Sequence, residues 1–248
     1  MFAAQLTWID TESRLGSHRA ADHHAEALAD VKASVGRLVN AQPHQIALLD
    51  SASRSWSTAM GAALNAGRPV HVITTDLEYG ANAICLLLAA KRGALTFSVL
   101  PVRTATVPLS QQVAEAIDAT PRHLTPIVSL PLVSAAWGLD IVRGDIGRVV
   151  ARIVRERDGY FFVDASHAVG QVPVDAEGCD AMVFPARKWL RGPKGVGVLC
   201  LSDRALAQFG SPDSTDAAAA RWLTATQAQP HSDARRFEGY EFNPGLRL

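Results

Sequence analysis

The sequence predicts an α/β fold: a mostly parallel, seven-stranded sheet with helices on both faces. Three observations predict it. Short β-rich runs alternate with longer alanine- and leucine-rich stretches of helical period along most of the chain, the pattern of strands joined by helical crossovers. The runs Tyr160-Phe161-Phe162-Val163 and Met182-Val183-Phe184 are apolar throughout, as strands covered on both sides are. The 248 residues are 48% hydrophobic and 19% charged, enough to bury a large core and too apolar for disorder.

Taken in order, strands are expected over residues 46–49, 70–74, 96–100, 126–130, 160–164, 181–184 and 196–201. Helices are expected over 18–39, 55–65, 81–92, 110–119, 141–157 and 203–208. A loop, not a helix, links the last two strands, so one antiparallel pairing is expected there. Segment 210–233 is rich in Ala, Ser, Asp, Thr and Gln and reads as an exposed connection or a loosely packed helix. The ending, RRFEGYEFNPGLRL, shows no clear final element.

Charge and cysteine usage exclude several classes. The 24 basic and 24 acidic side chains cancel, so nothing overall attracts nucleic acid or an anionic membrane. Cys85, Cys179 and Cys200 are far apart and form no C-x-x-C, which supports neither a disulfide framework nor a zinc ribbon. No metal site is expected, and a reduced, cytoplasmic compartment is. The N-terminus has no basic stretch followed by an apolar one, so no signal peptide is expected. Apolar runs such as 83–90 are too short to span a bilayer.

Open α/β sheets bind ligands beyond the carboxyl ends of their strands. Four polar segments follow strands here: 51–57, 76–82, 164–170 and 185–197. The last carries two of the four lysines, Lys188 and Lys194, with Arg187 and Arg191 beside Lys188. Cationic neighbours and partial burial both lower an ammonium pKa, which supplies a neutral amine able to attack a carbonyl. A basic hairpin tip on the surface would account for the same residues. Asp164 ends an apolar strand, with His167 three residues on. A buried carboxylate needs donors or a cation, and a protonated pyridine nitrogen would serve. A helix N-cap is the plainer role for Asp164, and a satisfied core histidine the plainer role for His167. A hydrolase triad of Asp164, Ser166 and His167 is disfavoured: the residues are too close in sequence, and no G-x-S-x-G is present. A dinucleotide-binding fold would need G-x-G-x-x-G after the first strand, and 51–57 has no glycine.

Together, VDASHAVGQVPVD and CDAMVFPARKWLRGPKGVGVL resemble the class V branch of fold-type I enzymes that use pyridoxal phosphate (PLP). The resemblance implies the large domain of the PLP-transferase fold over 1–235 and the start of a truncated C-terminal small domain over 236–248. It implies Lys188 as the catalytic residue that holds PLP as a Schiff base, Asp164 on the pyridine nitrogen and His167 on the ring hydroxyl. Asp50-Ser51-Ala52-Ser53-Arg54-Ser55-Trp56 is similar to the family's phosphate turn, which implies Ser53 and Arg54 as phosphate contacts, and a helix N-terminus suits an anion in any case. Thr74-Thr75-Asp76-Leu77-Glu78-Tyr79-Gly80-Ala81-Asn82 resembles the family's EHxxN or EYxxN segment, whose aromatic residue stacks on the ring, which implies Tyr79. The wording around Lys188 is nearest to isopenicillin N epimerase-like and hercynylcysteine sulfoxide lyase-like members. A homodimer acting on an amino-acid-type substrate is implied, as C–S lyase, epimerase or aminotransferase.

The chain departs from the family pattern at Pro185, where a hydroxyl usually reaches the phosphate; Arg187 would hold the phosphate by charge instead. Residues 131–138 lack the family's asparagine near the ring hydroxyl, although Ser134 is close. The arginine that grips the substrate carboxylate cannot be assigned. These departures also fit a non-catalytic remnant that keeps the fold, with or without PLP binding.

Overall fold

The computed structural model describes residues 2–142, 145–212 and 217–248, the side chain of Phe2 excepted. Three helices precede the first strand: α1 (Phe2–Leu15), α2 (Ser17–His23) and α3 (Ala25–Val39). The expected helix over 18–39 is thus broken at His24, which leaves helical geometry at φ −103°. The first helix, α1, was not expected from the sequence. It is held by Trp8, which is buried and packs against Gly245 from the far end of the chain, a contact no local pattern encodes.

The sheet elements follow as β1 (Ile46–Leu49), α4 (Ala52–Leu64), β2 (Val70–Thr75), α5 (Gly80–Lys91), β3 (Thr96–Leu100), α6 (Leu109–Ala119), β4 (Thr125–Pro131), α7 (Asp145–Glu156), β5 (Tyr160–Asp164), β6 (Ala181–Pro185), β7 (Gly197–Leu201) and α8 (Asp203–Gln208). The seven strands lie in the order β1-β7-β6-β5-β4-β2-β3. Strands β2 to β6 are parallel, and β7 runs antiparallel to both β6 and β1. The expected antiparallel pair is therefore present, and a second one, β1 with β7, joins it. Helix α7 starts later than expected: Ile141 and Val142 are buried ahead of it, and residues 143–144 of the expected helix lie outside the described residues.

Successive strand residues face opposite sides, and this splits the core into two layers. Phe161, Val163, Met182 and Phe184 pack on one face against α6 and α7 through Val113, Ile117, Val150 and Val154. Phe162, Val183 and Leu199 pack on the other against Trp56 and Met60 of α4. Segment 210–233 is neither a bare connection nor a helix. It contains an exposed hairpin of β8 (Ala220–Thr224) and β9 (Gln227–Pro230), because two short strands joined through Ala225 and Thr226 satisfy each other's backbone without a core. Residues 213–216 of that segment lie outside the described residues. The ending also acquires structure, a 3₁₀ turn at Ala234–Phe237 and a short α9 (Pro244–Arg247). Arg236 is buried there and donates to the carbonyl oxygens of Leu206 and Phe209, and Arg247 donates to that of Leu48 at 2.7 Å.

The strand order reverses between β2 and β4. Chain direction carries β2 outward to β3 and β4 back to the other side of β2, which opens a crevice at their carboxyl ends.

Candidate active site

Asp164 is the last residue of β5 and is 5% exposed. Its Oδ1 accepts the backbone N–H of Ser166 at 2.9 Å, an Asx turn that folds the chain away from the strand. Its Oδ2 accepts from Asn82 Nδ2 at 3.1 Å. No Lys, Arg or His lies within ion-pair distance of it among the described residues. A carboxylate has about four acceptor sites, so Asp164 keeps acceptor capacity for a further donor. It does not cap a helix.

Behind Asp164 stands a polar cluster at the β2–β4 crevice. Asn82 Nδ2 also donates to Glu78 Oε1 at 3.0 Å. Glu78 further accepts from the backbone N–H of Tyr79 at 2.8 Å, from Thr74 Oγ1 at 2.9 Å and from Ser129 Oγ at 3.4 Å. Ser129 Oγ in turn accepts from the buried indole of Trp56 at 3.1 Å. Loss of hydration pushes the Glu78 carboxyl up to about 7, with the charge of Asp164 adding to the rise and the donors opposing it.

Lys188 lies just beyond β6, its Nζ 5.6 Å from the centre of the Tyr79 ring. Burial lowers its pKa most, Arg187 lowers it further and Asp164 opposes them. His167 is lowered by burial first, then by Lys188, with Asp164 opposing and Arg187 adding. Asp164, His167, Arg187 and Lys188 thus act on one another electrostatically. A cavity of about 200 Å³ is lined by Ser53, Tyr79, Ser166, Arg187, Lys188 and Lys194, among others. Pro185 is also on its wall.

The floor of this cavity is the start of α4. Ser51 caps the helix, its Oγ accepting the N–H of Arg54 at 3.2 Å. The turn sits against the start of β7 so closely that a Cβ on Gly197 would lie 2.2 Å from the Ser51 carbonyl carbon. That fit demands glycine. Arg54 itself points elsewhere: it lines a neighbouring 650 Å³ cavity and is not on the wall of the smaller one. Ser134, which stood near the missing asparagine, is buried with no partner for its Oγ among the described residues.

Of the residues expected from sequence, Ser53, Tyr79, Arg187 and Lys188 share one cavity wall, and Asp164 and His167 couple to Lys188. Glu78, Asn82 and Ser129 were missed. The i, i+4 spacing of Glu78 and Asn82 was the available signal, because it puts both on one side of the turn into α5.

The chain belongs to the class-V aminotransferase family, whose model matches residues 5–238. Cysteine desulfurase IscS of Neisseria meningitidis serogroup C (strain 053442) is 30% identical over 193 residues, covering 74% of this chain and 44% of that protein. The chain therefore spans less than half the length of that relative. Among solved structures, a C-DES variant with glycine covalently linked to its PLP cofactor superposes with a TM-score of 0.82 at 18% identity, over 99% of this chain and 64% of the other. The cystine C–S lyase C-DES with its product cysteine persulfide gives 0.82 at 17%, over 99% and 65%. At such identities these two structures speak to the fold alone, fold type I.

Proposed function

We propose that the chain is the PLP-binding part of an enzyme that acts on an amino-acid-type substrate, with C–S lyase chemistry as the specific reaction. The observation that carries this reading is Asp164, a buried carboxylate with spare acceptor capacity and no cation in contact among the described residues. A protonated ring nitrogen is the partner such a group calls for. The other groups fit the same ligand: a helix start and the cations Arg187, Lys188 and Lys194 for a phosphate, and the flat face of Tyr79 for a ring.

On this reading Asp164 holds the ring nitrogen, His167 faces the ring hydroxyl, Tyr79 covers one ring face, and Ser53 and Arg187 hold the phosphate. Arg54 takes no part in this reading: its side chain lines the other cavity and its backbone N–H is held by the Ser51 cap. When bound, PLP supplies an electron sink for a bond broken at the substrate α-carbon. Lys188 binds the cofactor through Nζ and afterwards takes the α-proton, a task its lowered pKa favours. We read 1–235 as the cofactor-binding domain and 236–248 as the start of a further domain, and the working unit as a homodimer, which the exposed Ile84, Leu87 and Leu88 of α5 support.

The C–S lyase reading rests on the cysteine desulfurase relative. A sulfur-accepting thiol needs thiolate character and access. Burial pushes Cys200 up to about 12 and Cys179 higher still, and Cys85 is also raised by burial. None of these three suits relay of sulfur.

The test is to add PLP, follow the visible absorption band, reduce with borohydride and map the adduct. It should fall on Lys188. Cystine or a cysteine S-conjugate should then yield pyruvate, the product of β-elimination, whereas desulfuration would leave alanine. An adduct elsewhere, or none, defeats the reading. The Lys188 adduct without turnover of any of these substrates would instead mark a non-catalytic PLP binder.

A further inference from the structure

The polar cluster behind Asp164 has no role in the chemistry described so far. A single amide nitrogen, Asn82 Nδ2, lies 3.0 Å from Glu78 Oε1 and 3.1 Å from Asp164 Oδ2. An amide nitrogen has two hydrogens, so this one ties two carboxylates together. Glu78 is then saturated as an acceptor by Asn82, Tyr79, Thr74 and Ser129. Four donors call for two acceptor oxygens, which a carboxylate has and an amide or a hydrophobe has not, so the site suits the ionised form although desolvating a charge is costly.

We propose that Glu78 is a positioning residue for Asp164: through Asn82 it fixes the orientation of that carboxylate and sets a second negative charge one amide away from the cofactor's ring nitrogen. The inference rests on the PLP reading above and adds to it a residue that never touches the ring. The fixed part is geometric. Oδ1 is held by Ser166 and Oδ2 by Asn82, so the carboxylate plane is fixed and one acceptor site is left on each oxygen. The charged part is variable. The Glu78 carboxyl, raised by burial and by Asp164 to about 7, gains and loses its charge near neutrality.

The surroundings limit what else could produce such a pH response. From β5 and the loop after it Asp164 and His167 face the site, and from the loop after β6 Arg187 and Lys188 do. Helix α4 and strands β2 and β4 present Trp56, Thr74 and Ser129 to the cluster, none of which titrates near neutrality. Asp76 is turned away to an ion pair with Arg103. Binding and ionisation are linked reciprocally. A cation at Asp164 favours ionised Glu78, so ionised Glu78 must favour that cation.

The test measures PLP affinity as a function of pH in the wild-type chain and in Glu78→Gln, which keeps the size of the side chain and one acceptor oxygen, turns the other oxygen into an N–H donor and removes the charge. The variant should bind on the order of tenfold more weakly at about pH 8.5. The ratio should fall toward one below about pH 6, where wild-type Glu78 is protonated as well. Glu78→Asp, which restores a charge, should recover the pH dependence. Thr74→Val is the second probe and decides the matter if Glu78→Gln does not fold. It removes a donor that lowers the Glu78 pKa, so the pH at which wild-type affinity rises should move upward. A ratio of one at every pH, a ratio independent of pH, or an unmoved midpoint in Thr74→Val overturns the inference while leaving the functional reading standing. A wild-type chain that takes up no PLP overturns both.

Discussion

The two walls of the crevice are built on opposite principles. The Asp164 wall is made of strand ends and the first turn of α5, and its polar atoms are tied into a continuous hydrogen-bonded series from Trp56 through Ser129, Glu78 and Asn82 to Asp164. The Lys188 wall is a loop between antiparallel strands. Its cations Arg187, Lys188 and Lys194 take part in no ion pair among the described residues, and the ring of Tyr79 is the one aromatic face that Lys188 meets there. One wall is fixed before any ligand arrives, as a group that must hold a charge in place needs to be. The other is left with unneutralised charge and rotatable side chains, as a group that must form and break a bond needs to be.

Breaking each wall should therefore have a different signature. The largest effect belongs to Lys188→Ala: the borohydride-trapped adduct should vanish and turnover should fall on the order of 10³-fold, while PLP still binds non-covalently by its phosphate. Next comes Asp164→Asn, which preserves the Ser166 contact but not the charge. Affinity and turnover should both drop, turnover on the order of 10²-fold, read by absorbance titration and steady-state kinetics. Gly197→Ala strikes the hinge between the walls, where the new methyl would meet the Ser51 backbone. It should cost about 1–3 kcal/mol in denaturant unfolding and weaken phosphate binding with it.

A subtler probe sharpens the electrostatic side of the comparison. Arg187 lowers the pKa of both Lys188 and His167. Arg187→Met should raise both, so the neutral amine becomes scarcer at a given pH, and the pH profile of PLP capture by Lys188 should move to higher pH. The smallest effect is expected far from both walls. Trp222 is 80% exposed on the β8–β9 hairpin, and Trp222→Ser should change unfolding free energy by no more than about 0.5 kcal/mol. A large change there would mean that the hairpin is part of the folded unit's stability after all.

How much of this was legible beforehand follows the range of the interactions involved. The parallel strands and their helices could be read because alternation and helical period are local. The motif residues Asp164, His167, Lys188 and Tyr79 were named through the resemblance to the class V enzymes, whose motifs are short and local. The direction of β1 could not be read, since a strand's partner is chosen by packing across the whole sheet: Leu49 and Gly197 are partners although most of the chain lies between them. Helix α1 was missed for the same reason, its anchor being Gly245. Glu78 and Asn82 lay in a segment already singled out for Tyr79, but nothing in that segment says that a carboxylate from β5 will come within 3.1 Å of Asn82.

By itself the sequence determined the kind of fold and the strand ends at which the polar segments gather, because those follow from patterning and residue type within short windows. Tertiary structure alone decided which groups share a cavity, that Arg54 turns away from it, and that a second carboxylate stands behind the first. Those outcomes depend on distances between segments far apart in the chain, and only packing sets such distances.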